Sequence, residues 1–512
     1  MARLTKRHCV KHLEVVGVAR AVVFAHHEHF EQAGGPHVGG QGRVEMHIAL
    51  EAVYQPGIVQ AQQTNGRGNF HDGKPAQLPV PGRVVPARKC ASRRNLRQFI
   101  SFLLLTLLSL VSLTSTPPDS SAPSPATPVP YFEPLDIVRF GVATLILITH
   151  SYEHWLAVPA VAAATLDSGG QPLWWATKLA GFVGSFNVGV DIFFLMSGFL
   201  ITYLLLLEKQ RYGRIDIKSF YVRRVLRIWP LYYFCVAMAP LLSHYGHEPV
   251  ANMPMHLAFL GNFDLMRHGW GSTAVNHLWS ICIEEHFYLL WPLLVAFVPR
   301  QRLTTVFGAV IVVSFLTRLY YFYFVPDSYL YLYLNTLCRW DALAVGALLA
   351  YGYFEGYRLP LLPAALRWMI YGMALLVFVN DSYGNWDNIF LLSFKKYVFL
   401  GVIAFALSNI LFNPDSLIKW RGRTIFHYFG KISYGIYMYH GFVIYGLLHL
   451  GDTFKTPLLL LWVFVVTLVV SAISYELVEK PILRLKKYAD AFGSRRTVAA
   501  GPTAAAVPEL VQ

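Results

Sequence analysis

Long runs of consecutive apolar residues recur along the chain from residue 131 onward, separated by short polar and basic segments. Each run has about 18–22 residues, the length that an α-helix needs to cross a hydrocarbon core roughly 30 Å thick. The runs are continuous rather than alternating, which disfavours strands, and open sheet edges are not tolerated in lipid. The pattern predicts ten membrane helices, at 137–156, 188–207, 225–243, 278–299, 303–322, 338–355, 364–380, 395–412, 431–449 and 457–478.

Basic residues concentrate in every second connecting segment. Five of these segments carry 20 Lys and Arg and the other five carry 5; the basic set is 208–224, 300–302, 356–367, 413–431 and 479–496. Loops rich in Lys and Arg stay in the cytoplasm during insertion. We therefore predict an all-α, polytopic membrane helix bundle in the cell (inner) membrane, with ten core transmembrane helices and both ends of the core cytoplasmic.

The composition agrees with a membrane protein. Hydrophobic residues make up 55% of the chain and charged residues 14%, against the usual quarter charged. The net charge of +14 does not indicate nucleic-acid binding, because +8 of it precedes the first apolar run and the rest follows the loops. The five cysteines form no CxxC pair or Cys/His cluster, so we expect neither a disulfide framework nor a metal site.

The first 130 residues differ from the rest of the chain. Residues 1–98 are His-rich and basic without a helical or strand period, and we interpret them as a disordered or misassigned N-terminal extension. Residues 99–130 hold an apolar run and a Pro/Ser linker. The run at 99–115 is predicted to be interfacial, because a spanning segment would place the preceding arginines outside. Residues 131–485 form the predicted membrane domain, and 486–512 a short disordered tail.

Charged residues inside the first span require a reason, because each costs roughly 3 kcal/mol in a membrane helix. Asp136 and Arg139 are three residues apart, so they can pair on one helical face. His150 lies eleven residues beyond Arg139, about three turns or 16 Å along the same face. This arrangement fits a site that crosses the bilayer, although a lone intramembrane histidine also serves in helix–helix hydrogen bonds.

The second and third spans add further polar candidates. Ser197 and Gly198 offer a small hydroxyl and a close helix approach, which suits either a site lining or plain helix packing. Membrane orientation alone is a sufficient explanation for the charges of Arg223 and Arg224. Arg227 lies one turn further into the span, and arginines on one face at a cytoplasmic mouth suit phosphate binding, as in the nucleotide end of a CoA thioester.

The fourth span opens with an unusual polar cluster. His277, Ser280 and Glu284 share one helical face, whereas Glu285 and His286 point elsewhere. A buried glutamate beside a histidine is a plausible acid, base or orienting partner. The alternative is an interfacial patch at a topology boundary.

Weaker signals occur elsewhere. Asp191 is a further charge near a membrane boundary, and Arg339 with Asp341 is interpreted as a structural pair. His440 faces either the inside of the bundle or a packing contact. Lys480, just before a proline that ends the tenth span, is interpreted as an anchor at the lipid headgroups.

These motifs, in this order, resemble the integral membrane acyltransferase family 3, the O-acetyltransferases of surface polysaccharides and related acceptors, over about 131–485. The matching positions are Arg139 and His150 for Arg-x10-His, Ser197 to Leu200 for SGFL, Arg224 and Arg227 for RxxR, and Ser280, Glu284 and Phe287 for Ser-x-Ser-x-Glu-x-x-Phe. Cys282 replaces the second serine of that last motif.

The resemblance implies an acyl-CoA co-substrate, usually acetyl-CoA, bound from the cytoplasm, and a sugar, polysaccharide or other hydroxyl acceptor at the lipid bilayer. It implies no metal. His150 is then the catalytic residue, and Glu284 orients or protonates it. The implied donor-binding residues are Asp136, Arg139, Arg224 and Arg227, and the implied site-lining residues are Ser197, Gly198, Ser280 and Cys282.

Two other functions stay open on the sequence alone. A glycan or lipid transporter or flippase also uses intramembrane charges, although such proteins commonly show repeated halves and this chain shows no internal repeat. A non-catalytic scaffold is disfavoured because the charged residues lie deep in the spans. The sequence does not choose among hydroxyl acceptors.

Overall fold

The computed structural model describes residues 20–23, 48–51 and 131–488, the last with gaps at 168–169, 171, 247–250, 272–273, 358–361, 381–388, 414–424, 452–455 and 457. The chain forms two compact units, one of residues 1–51 and 58–117, the other of residues 52–57 and 118–512. In the first unit β1 (Arg20–Val23) pairs antiparallel with β2 (Ile48–Glu51). The predictions for the remainder of 1–130 and for 489–512 lie outside the described residues.

The described part of the second unit is helical. Its α-helices, in chain order, are α1 (Glu133–Leu156), α2 (Pro159–Ala164), α3 (Trp174–Gly184), α4 (Gly189–Tyr212), α5 (Ile217–Gly246), α6 (Met253–Leu257), α7 (Gly261–His268), α8 (Trp279–Phe297), α9 (Leu303–Phe324), α10 (Tyr329–Leu334), α11 (Thr336–Phe354), α12 (Ala364–Asn380), α13 (Ile389–Phe412), α14 (Ile425–Lys431), α15 (Ser433–Leu450), α16 (Leu459–Ser474) and α17 (Lys480–Arg484). Short 3₁₀ turns connect several of them, at Ser185–Val188, Asn276–Leu278, Arg300–Arg302 and Leu485–Tyr488, and a π-helical turn lies at Tyr475–Glu479.

Each of the ten predicted spans falls on one of these helices, and the all-α polytopic bundle is confirmed. Within the described residues, seven helical stretches are long and apolar enough to cross a membrane. The largest difference between the start of a predicted span and the start of its helix occurs at α5, which begins at Ile217 rather than at the predicted 225. Arg223 and Arg224 are therefore helical residues, held on the same rigid element as Arg227.

Helix α4 lies in the middle of the bundle and crosses α11 at very short distance. A Cβ atom added at Gly198 would lie 2.0 Å from the carbonyl oxygen of Leu343, and one added at Gly346 would lie 2.0 Å from that of Leu195. Only glycine permits such backbone approach between membrane helices. Gly213, with φ 69°, then ends α4 in the left-handed conformation that glycine adopts without strain.

A buried ionic network joins four helices at the end of the bundle where α4 begins. Asp191 pairs with Arg339 at 3.0 Å and with Lys396 at 3.2 Å, while Asp341 pairs with Lys396 at 3.0 Å and with Arg318 at 2.8 Å. The predicted pairing of Arg339 with Asp341 is wrong. Residues two apart point to different sides of a helix, so each finds its partner on another helix.

Candidate active site

A cavity of about 940 Å³ runs through the second unit between α1, α4, α5, α8 and α15. Along α4 its lining extends from Tyr212 to Val190, which is about 33 Å at 1.5 Å per residue. The cavity therefore reaches through a depth comparable to the hydrocarbon core of a bilayer. Apolar side chains cover its middle part, among them Phe193, Phe194 and Leu200.

One end of this cavity is strongly basic. Nine cationic side chains line this end, whereas the whole lining of the cavity includes two carboxylates, Asp136 and Glu284; the cations are Arg139, Arg223, Arg224, Arg227, Lys431, Lys480, Arg484, Lys486 and Lys487. They lie in the first turns of α1, near the beginning of α5, at the end of α14 and after α16. We call this end of the cavity the mouth.

The arginines of the mouth differ in their partners. Arg139 pairs with Asp136 at 3.3 Å, as predicted, and Asp136 also accepts a hydrogen bond from the hydroxyl of Tyr131. Asp136, predicted to bind the donor, is thus a carboxylate that holds Arg139. Arg223 pairs with Glu208 at 3.4 Å.

Arg224 and Arg227 have no carboxylate partner in the described part of the chain. The guanidinium of Arg224 lies 5.6 Å from the ring centre of Phe220 and 5.8 Å from that of Tyr288. Its Nε atom is buried without a hydrogen-bond partner. A guanidinium that lines a cavity and lacks a counter-ion favours an anionic ligand.

Glu284 lies further inside, in the middle of the cavity. Ser197 donates a hydrogen bond to its Oε1 at 2.9 Å, and Tyr288 donates to its Oε2 at 2.9 Å. Both Ser197 and Ser280 line the cavity, as predicted. The neighbouring Glu285 accepts from the indole of Trp229 at 3.1 Å, outside the cavity lining.

Two residues predicted to line the site do not do so. Gly198 lies in the contact between α4 and α11, where it meets the backbone of Leu343. Cys282 is completely buried, and its sulfur lies 3.6 Å from the hydroxyl of Tyr232 on α5. In both cases the neighbouring position on the same helix, Ser197 or Ile281, faces the cavity instead.

Tyr437 of α15 lines the cavity, and its ring is centred 5.5 Å from that of His440. Its hydroxyl donates a hydrogen bond to the carbonyl of His277 at 2.7 Å and lies 2.7 Å from the hydroxyl of Ser280. These contacts join α15 to the beginning of α8.

His150 lies beyond Tyr437 and does not line the cavity. Its Nδ1 lies 2.8 Å from Nε2 of His440, and the two rings are stacked with their centres 5.0 Å apart. The predicted contact of His150 with Glu284 does not occur among the described residues; the two oxygens of Glu284 accept from Ser197 and Tyr288 instead. His277, the third ring, is centred 4.4 Å from that of His440.

The hydrogen bonds of this pair assign the tautomers of the neutral rings. Nδ1 of His440 lies 2.6 Å from the carbonyl oxygen of Tyr437, which can only accept, so this nitrogen carries the proton. Nε2 of His440 is then the acceptor, and Nδ1 of His150 donates to it. Nε2 of His150 is left with a lone pair, the state that a base or nucleophile requires.

Sequence reasoning identified His150 but left His440 undecided between the bundle interior and a packing contact. Nothing in the spacing could decide this, because the two residues are 290 positions apart. No group of three or more potential metal ligands occurs in the described residues.

The fold and the site together define a class: a polytopic membrane protein with a deep cavity, basic at its mouth, and a histidine pair beyond its inner end. The sequence profile of the acyltransferase domain of this class, Acyl_transf_3, matches residues 133–476. The chain belongs to this family, the membrane acyltransferases of family 3, as its motifs predicted.

Among its relatives are the O-acetyltransferases OatA of Staphylococcus aureus strains NCTC 8325 and COL. Each is 26% identical over 330 residues, covering 58% of this chain and 52% of the relative. The chain thus spans about half the length of the curated relatives it matches. No solved structure matches it.

Proposed function

We propose that the protein transfers an acetyl group from acetyl-CoA, bound from the cytoplasm, to a hydroxyl of a sugar or polysaccharide at the cell membrane. The relatives' name, O-acetyltransferase, supports the reaction type. The observation that carries the proposal is the pair Arg224 and Arg227, two guanidiniums that have no carboxylate partner among the described residues and line a cavity that leads toward His150.

The shape and charge of the cavity suit a CoA thioester. The nucleotide end of CoA bears three phosphate groups, which fit the cationic mouth at Arg139, Arg224 and Arg227. The uncharged pantetheine arm then lies along the apolar middle of the cavity, where Phe193 and Leu200 line the wall. This orientation sends the thioester toward Tyr437 and the histidine pair.

Nε2 of His150 is the reacting nitrogen in this proposal. It removes the proton of the acceptor hydroxyl while the hydroxyl oxygen attacks the thioester carbonyl; the carbon–sulfur bond then breaks, and the proton passes to the thiolate of CoA. The same nitrogen would take up the acetyl group if the transfer used two steps. His440 is a positioning residue, since it holds the tautomer that leaves Nε2 free.

Glu284 is assigned a different role from that of an orienting partner for His150. Its bonds to Ser197 and Tyr288 fix the wall of the cavity about halfway along, beneath Arg224. We propose that it keeps the donor path polar at the point where the phosphate region meets the pantetheine region. In this proposal Tyr437 moves before a thioester reaches His150, because its ring lies between the cavity and His440.

The test is release of CoA thiol from acetyl-CoA by the purified protein in lipid nanodiscs, with an oligosaccharide acceptor. The His150→Ala variant should lose activity by about 10²–10⁴-fold, the usual contribution of a general acid–base group, while it still inserts and folds. His449→Ala is the matched control, since His449 lies on α15 away from the cavity lining; its Nδ1 lies 2.8 Å from the carbonyl oxygen of Tyr445, and its ring packs against that of Tyr445.

Full activity of His150→Ala would disprove the proposed role of this residue. A wild-type protein that releases no thiol but moves a glycan or lipid across the membrane would instead support the transporter alternative.

A further inference from the structure

The segment that follows α16, residues 480–487, lies along the mouth of the cavity. After α16 ends at Ser474, a π-helical turn adds a residue to the helical repeat, which rotates the following residues by about 100° around the axis. All four cationic side chains of the segment line the cavity: Lys480, Arg484, Lys486 and Lys487. The sequence explained these charges by membrane orientation and headgroup anchoring alone, and neither role requires them to face a cavity.

The mouth brings like charges together. The half-buried ammonium of Lys486 is repelled by the guanidiniums of Arg223, Arg224 and Arg227. Among the described residues, Arg223 alone of these three has a carboxylate partner. Arg484 is exposed and, within the residues the structure describes, also has no acidic partner. Such a cluster is stabilised when an anion binds among its members.

We propose that residues 480–487 complete a phosphate-binding site in the mouth, in which Arg484, Lys486 and Lys487 bind phosphate groups of the CoA nucleotide opposite Arg224 and Arg227. The inference rests on the proposed function, because it takes the donor to be a CoA thioester. Lys480 contributes least, since it already pairs with Glu476 at 2.6 Å.

A lipid headgroup could supply the same phosphate chemistry. The position of the side chains favours the donor, because they line a cavity that continues past Arg227 toward Ser197 and Glu284. A headgroup anchor needs only the outer rim of the bundle.

The experiment measures the dissociation constant of CoA by calorimetry, with the protein in nanodiscs of zwitterionic lipid so that no anionic headgroup is present. The double variant Arg484→Gln/Lys487→Gln should weaken CoA binding at least about tenfold, the loss expected for one charge-assisted hydrogen bond. Lys486→Gln should act in the same direction. Turnover of acetyl-pantetheine, a thioester without phosphates, should not change in either variant.

Two controls separate this effect from damage to the fold or from net charge. Arg484→Lys/Lys487→Arg keeps both charges and should bind CoA nearly as the wild type does. Arg302→Gln removes a charge from an exposed arginine outside the cavity lining and should have no effect.

The outcomes distinguish the inference from the function on which it rests. Wild-type protein that neither binds CoA nor releases its thiol would overturn both. If the wild-type protein turns over acetyl-CoA and the glutamine variants bind CoA as tightly as it does, the inference alone is overturned. If the variants lose only their binding to anionic vesicles, the segment binds lipid headgroups instead.

Discussion

Replacing His440 with leucine removes Nε2, the ring nitrogen that accepts a hydrogen bond from Nδ1 of His150 at 2.8 Å. Leucine fills a similar volume in this buried position, so α15 should keep its packing. The imidazole of His150 is then free to move its proton to Nε2 or to turn about its side-chain torsions. In either case the lone pair at Nε2 is no longer held in place.

The magnitude follows from what the contact does. A positioned general base contributes about 10²–10⁴ to the rate, and a base without its orienting partner keeps only part of that factor. We expect kcat to fall about 100-fold in His440→Leu, which corresponds to about 2.7 kcal/mol of transition-state stabilisation. The KM for acetyl-CoA should stay within about twofold, because His440 does not line the cavity that we propose for the donor.

The assay is steady-state release of CoA thiol at varied acetyl-CoA, with the melting temperature of each variant measured in parallel. His440→Gln should restore much of kcat, since its amide oxygen can accept from His150 and its amide nitrogen can donate to the carbonyl of Tyr437. His449→Leu, on the same helix, is the matched control. Equal kcat values for the leucine and glutamine variants would refute the tautomer argument, and so would a loss that appears only in KM.

Two further predictions concern the scaffold around the site. Gly198→Ala should lower the free energy of unfolding by about 3 kcal/mol or more, because its Cβ would lie 2.0 Å from a backbone oxygen. Gly401→Ala, whose Cβ would meet nothing within 4 Å, should be nearly neutral. Melting temperatures of both variants in detergent test this prediction. Asp341→Asn should destabilise the bundle by about 3–5 kcal/mol, because it leaves Arg318 and Lys396 with too little buried negative charge; a melting temperature equal to that of the wild type would contradict this.

The helices were predictable because a membrane span is a local property of the sequence. The location of each apolar run along the chain predicts where its helix lies, and all ten runs fall on helices. The start of α5 was missed because a prediction from apolar runs ends where polar residues begin. A membrane helix can continue beyond the hydrocarbon core with polar residues such as Arg223. Local pairs were equally accessible: Asp136 and Arg139 share a helical face and do pair.

Contacts between distant helices could not be derived in the same way. The family resemblance supplied His150, Glu284 and the arginines as one set, but it did not say which of them touch. The structure separates Glu284 from His150 and supplies His440 as the partner. The position of residues 480–487 was not accessible for a related reason: their charge suffices to explain membrane orientation, and only the structure shows that their cationic side chains line a cavity.

Helix α15 joins the two halves of the candidate site. Its first turns present Ser433, Tyr434 and Tyr437 to the cavity, and the next turn carries His440 toward His150. The hydroxyl of Tyr437 bonds this helix to the beginning of α8. The carbonyl oxygen of Tyr437 accepts a hydrogen bond from Nδ1 of His440 and so fixes the tautomer of that ring. In the proposed mechanism, a movement of α15 that breaks the bond between Tyr437 and Ser280 would open the cavity toward His150 and shift the partner of His150 at the same time. In the proposed mechanism, arrival of a donor at the inner end and readiness of Nε2 would then be coupled through Tyr437, and the histidine pair could lie outside the cavity and still take part in its chemistry.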